Sequence, residues 1–164
     1  MLYINSPGDA MYAIIVFLLM MIIPILSIIV ERVLFSSALP FIPLIGKWFV
    51  FWAVGVRLIT ASYKQVFSPE FTAKEVFGVM EKGSEAIVKE LGFANFSLGL
   101  LGVCSLFIPE WRLPAAIAGG LFFGFSGFGH WVRKNINRNE TLSMLSDFWI
   151  FLICIVYCVY MIML

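Results

Sequence analysis

The chain has 164 residues, 62% hydrophobic and 13% charged, with a mean hydropathy of +0.99. A water-soluble domain of this size could not carry that composition without a large exposed apolar surface, so its solvent is lipid. A formal net charge of +1 gives no strong electrostatic case for nucleic acid, which usually needs a clustered basic face.

A spanning helix takes about 20 mostly apolar residues, so five spans with short connections consume residues 1–164 as a single transmembrane domain. The first span is expected over 11–33. Its length, and Asp9 where a basic leader would stand, predict a retained span rather than a cleaved signal. Pro24 removes a backbone donor and predicts a kink. A connector over 36–46, with Pro40 and Pro43, is expected at the membrane interface. The second span is expected over 47–65, with Trp48 and Trp52 in an aromatic belt.

Ser68-Pro69-Glu70 has the residue order of a helix start, and Thr72 with Glu75 offers a second one as a capping box. A short amphipathic helix follows over about 69–82. Phe71, Val76, Val79 and Met80 oppose Lys74, Glu75, Glu81 and Lys82, a pattern that predicts a helix lying flat on the membrane surface. Three further spans are expected over 86–107, 114–132 and 142–164, the last two separated by the basic run Arg133 to Arg138. The fold class is therefore an all-α integral membrane helix bundle: five transmembrane helices and one amphipathic surface helix.

Lysines and arginines in short loops set orientation. Lys64, Lys74, Lys82, Lys89, Arg133, Lys134 and Arg138 fall on one side, against Arg32, Lys47 and Arg112 on the other. This places the N-terminus in the cytoplasm and the C-terminus outside, in a plasma (inner) membrane.

Ionisable groups within a span cost about 2.5–3.5 kcal/mol each on insertion scales and need a reason. Arg57, Glu90, His130 and Asp147 all fall in the cytoplasmic half, on four different helices. Their convergence is the most functional-looking feature of the sequence, and His130 is the group that could change charge near neutral pH. The structural alternative is that the carboxylates are wetted near the interface and Arg57 snorkels along its own stem. Small residues form two stripes, Gly92, Gly99 and Gly102 with Asn95 among them, and Gly120, Gly124 and Gly127. Such stripes serve close helix packing, within one copy or between copies, and Asn95 could lock two helices together. Phe122, Phe123, Phe125, Phe128 and Trp131 could wall a cavity for a flat lipophilic ligand such as a quinone or a sterol-like molecule, although phenylalanines in a span are more often lipid-facing or core filler.

Cys104, Cys154 and Cys158 lie in apolar runs and behave as small hydrophobes, so neither a disulfide framework nor a metal site is expected. No phosphate-binding loop, dinucleotide fingerprint or nucleophile motif occurs. A single histidine excludes bis-histidine haem ligation within one copy. No cofactor is evident, quinone being the one candidate.

From Lys47 onward, a span containing Arg57 ends in Gln65-Val66-Phe67-Ser68-Pro69-Glu70. A short amphipathic piece follows, and Glu90-Leu91-Gly92-Phe93-Ala94-Asn95 opens a glycine-rich span. This layout resembles the DoxX-like group of small membrane proteins over residues 47–164, with the first span as an extension. The resemblance implies a four-helix core and singles out Arg57, Glu90, Asn95 and His130. It also implies, for some members, a link to membrane redox complexes or quinone-related oxidation; fold is shared more firmly than chemistry.

The leading expectation is an accessory or ligand-binding membrane protein that holds a lipophilic molecule or a membrane partner in the cytoplasmic half of its bundle. Two alternatives are a quinone-linked redox complex subunit, with Glu90 or His130 handling protons, and a small proton-coupled transporter using Glu90 and Asp147 near Arg57. Whether the protein is an enzyme stays open. The partners expected are the bilayer, a lipophilic small molecule, and a second copy or a redox complex, with no nucleic acid.

Overall fold

The computed structural model describes residues 7–79, 81, 83–134 and 136–164, the side chains of 7–9 and 75 excepted. The described residues form six helices and one 3₁₀ turn, with no strand among them. We label the helices α1 (residues 7–34), α2 (Phe41–Phe67), α3 (residues 69–76), α4 (Ser84–Cys104), α5 (Arg112–Trp131) and α6 (Arg138–Met163). Four of them, α1, α2, α4 and α6, are long and apolar enough to cross a membrane. The glycines of α5, with Ser126 and His130, dilute its hydropathy, yet its 20 residues carry a buried stripe running from Ala115 to His130.

Helix α1 does not break at Pro24. It widens into a π turn over Leu18–Ile22 and continues through Pro24 into Ile23–Leu34. Pro24 cannot donate to the carbonyl four residues earlier, that of Met20. The indole Nε1 of Trp149 donates to the Met20 oxygen instead, at 3.2 Å. In lipid no water can take up that carbonyl, so the neighbouring helix does.

Helix α2 begins at Phe41, six residues before the expected start. Pro40 caps it and Pro43 falls in the first turn, where backbone N–H groups have no intrahelical acceptor and a missing donor costs nothing. The connector is correspondingly shorter than 36–46. Helix α6 begins at Arg138 rather than 142, because the Asn137 side chain accepts from the Glu140 amide at 2.8 Å and caps it. Helix α4 runs from Ser84, after Gly83 at φ +100°, to Cys104, and α5 is shifted to Arg112–Trp131.

The expected surface helix is the largest departure. Helix α3 ends at Val76, and Pro69, Thr72, Ala73 and Val76 are buried, with Ala73 only 1% exposed. Its buried face is turned into the end of the bundle. Thr72 sits inside the helix, and Ser68 occupies the cap position without a side-chain cap bond. The part of the expectation resting on Met80, Lys82 and the Glu75 side chain lies outside the described residues.

In lipid, transfer from water does not hold helices together; close packing does. A Cβ on Gly102 would lie 2.6 Å from the Gly55 nitrogen, and one on Gly99 would lie 2.9 Å from the Gly55 oxygen. Gly92 meets Val66 and Gln65, so α4 runs antiparallel to α2 at backbone contact. Gly120, Gly124 and Gly127 meet Cys154, Phe151 and Asp147 in turn, which makes α5 and α6 antiparallel as well. Both stripes thus join helices of one chain. The apolar core lies among α1, α2, α5 and α6, around Val16, Met20, Val54, Ala116, Phe123 and Ile150.

Candidate functional site

Arg57 follows directly on a second π turn, Val50–Val56, in the middle of α2. A π turn inserts one residue into the helical ladder and re-aims the side chains beyond it. It packs against the π turn of α1. Past this level the two helices diverge: residues 7–17 lean on α6, residues 57–67 lean on α4, and the two segments touch each other only sparsely. A cavity of ≈ 130 Å³ lies in the space between them.

Every helix contributes to its lining, with Tyr12 from α1, Arg57, Lys64 and Gln65 from α2, Thr72 from α3, Asn95 from α4, Ser126 and His130 from α5, and Ser143 and Asp147 from α6. Leu58, Phe122 and Phe123 supply apolar wall. The guanidinium of Arg57 stands 5.7 Å from the centre of the Tyr12 ring. No described residue accepts a hydrogen bond from it, and its Nε is buried without a partner. The Tyr12 hydroxyl shares a short hydrogen bond with Ser143 Oγ. Asn95 Nδ2 donates to Gln65 Oε1 at 2.8 Å, while Asn95 Oδ1 is buried and unpartnered. Ser126 and Asp147 face the same cavity as Arg57, and no ion pair joins Asp147 to Arg57 among the described residues.

Helix α3 closes the end of the cavity. Phe77, just beyond it, stacks on His130 at 5.9 Å and 27°, and the Arg133 guanidinium lies 5.5 Å from the same ring. Glu140 holds both groups, with His130 Nδ1 at 2.9 Å and Arg133 Nη1 donating at 3.0 Å. Asn137 Nδ2 donates to the Val76 carbonyl at 3.3 Å. The lid is therefore latched to the α5–α6 turn through one ring and one carbonyl.

Of the five residues singled out from the sequence, four line this cavity: Arg57, Asn95, His130 and Asp147. Glu90 is exposed and is not among the lining residues. Sequence reasoning missed Tyr12, Lys64, Gln65, Ser126 and Glu140. Gln65 is the last residue of the span expected over 47–65, which puts it at the interface. The Asn137-x-x-Glu140 cap was the signal that would have brought Glu140 into the first turn of α6, within reach of His130. Among the described residues, no three of His, Cys, Asp and Glu stand close enough to hold a metal ion.

These features define a membrane protein, a helix bundle with a polar cavity at one end of its interior. Residues 10–164 match a family described as "Family of unknown function (DUF6790)", and the chain belongs to that family. No curated protein matches the chain, and no solved structure does.

Proposed function

We propose that this protein is an accessory membrane protein that binds an amphipathic small molecule in the interhelical cavity. The observation that carries the reading is Arg57, a partly buried cation lining a cavity in which no described side chain accepts from it. Intramembrane charges are expensive and are ordinarily paired. One left facing a space is complementary to something that enters it. The wall is divided accordingly, with polar groups at Arg57, Asn95, Gln65 and Asp147, and apolar ones at Leu58, Phe122 and Phe123.

In this reading α5 is the fifth crossing. Its 20 residues at 1.5 Å rise match the hydrocarbon thickness, and it packs antiparallel to α6 through a buried glycine face. The cavity end carries Lys64, Lys74, Lys89, Arg133, Lys134 and Arg138, and the far end Arg32, Lys47 and Arg112. The cavity then faces the cytoplasm of a plasma (inner) membrane, with the N-terminus on that side.

Native mass spectrometry with lipid extraction, on protein purified in nanodiscs, tests the proposal. A stoichiometric small molecule is expected on the wild type and on Glu90→Gln, and absent from Arg57→Ala. An apo protein indifferent to all three sequences would contradict it.

A further inference from the structure

The charges that line the cavity do not balance. Among the described side chains, Arg57 and Lys64 face it with one carboxylate, Asp147. The other carboxylate nearby, Glu140, is committed to His130 and Arg133. Lys64 Nζ makes no ion pair among the described residues and rests 5.7 Å from the centre of the Phe71 ring. Two cations against one carboxylate among the described side chains favour one further negative charge.

Size narrows the class. A cavity of ≈ 130 Å³ is slightly smaller than the roughly 150 Å³ that accommodates a benzene ring. A carboxylate with its first few methylenes fits within it. A glycerophosphate with two acyl chains does not. The remainder of any longer ligand has to leave, and one way out is visible. Residues 7–17 and 57–67 pack only sparsely on each other, and of the lining residues there, Met11 and Thr60 are exposed. The rim they form is on the side of the bundle, where acyl chains of the bilayer would lie.

The amide pair completes the head site. Turning over both Asn95 and Gln65 preserves their 2.8 Å bond while replacing the unpartnered oxygen of Asn95 by an N–H. The pair can therefore present a donor to an anionic head beside the planar donor array of Arg57, which suits a carboxylate.

We infer that the cavity binds the carboxylate head of a single-chain amphiphile, of the fatty-acid class, with Arg57 as its principal ligand and the chain passing out between α1 and α2. This rests on the binding function proposed above and adds the class of ligand. The test is titration of the full chain, in phosphatidylcholine nanodiscs, with dodecanoate, dodecanol and dodecyl phosphate, followed by native mass spectrometry. Dodecanoate is expected to bind one to one, at least about tenfold more tightly than dodecanol, the difference that one charge-assisted hydrogen bond supplies. Arg57→Gln should remove that preference, and Lys64→Gln should reduce it. Equal binding of dodecanol, or tighter binding of dodecyl phosphate, would overturn the carboxylate assignment and leave the binding site standing. If none of the three binds, the assignment falls. Retention of an endogenous molecule by the wild type, but not by Arg57→Ala, would then show that the cavity still has a ligand of another class.

Discussion

The two ends of the bundle treat their charges differently. At the far end, Glu31 accepts from Lys47 and Trp48, each at 2.7 Å, and from Ser37 at 3.1 Å, while Arg32 donates to the Ser37 carbonyl at 2.6 Å. Arg112, also at that end, is buried with its Nε unpartnered, but its Nη2 donates to the Ser105 carbonyl at 3.4 Å. These groups join the α1–α2 hairpin and the α4–α5 turn, and apart from Arg112 Nε they are occupied in doing so. At the cavity end, Arg57 and Asn95 keep unmatched hydrogen-bonding capacity beside a void. A polar cluster that satisfies itself is architecture; one that leaves donors facing a space is a site.

Substitutions separate the two. The largest effect is expected from Glu31→Ala, which strips Lys47 and Trp48 of their shared acceptor. It should lower unfolding stability by about 1–3 kcal/mol, read as a lower thermal midpoint in detergent, without altering what the cavity holds. Trp149→Phe comes next. It leaves the Met20 carbonyl opposite Pro24 without a donor and should cost about 1 kcal/mol, with hydrogen exchange rising around residues 18–25. Glu90→Gln should do least, within about 0.5 kcal/mol as expected of an exposed site. A loss of bound molecule in that variant would return Glu90 to the site and blur the contrast between the ends.

Much of the frame is legible in the sequence, because lipid imposes it. Long apolar stretches give the helices, and glycines at helical spacing give the faces that touch. The polar layer is legible as depth, since counting residues places Arg57, Glu90, His130 and Asp147 in one half of the bundle, with Asn95 on the small-residue stripe beside them. Facing was less accessible. Glu90 lies at a suitable depth but is five residues from Asn95, about 140° around the helix at 100° per residue, and so misses the interior. Helix α3 misled for a different reason. Its apolar pattern over Phe71 and Val76 indicated one buried face but not what would bury it. The Phe77 contacts with His130 and Arg133 turn that face toward protein rather than lipid. The π turns at 18–22 and 50–56 leave no sequence mark except Pro24, two residues beyond the first of them.

The most direct measurement is the stability of Arg57→Met stripped of ligand, compared with wild type treated alike. If Arg57 serves a ligand, a shorter uncharged thioether removes a partly buried cation whose Nε has no partner. The variant should then melt at or above the wild-type temperature while losing the bound molecule. A marked destabilisation of the ligand-free variant would show that Arg57 holds the bundle together, and the contrast between its two ends would be withdrawn.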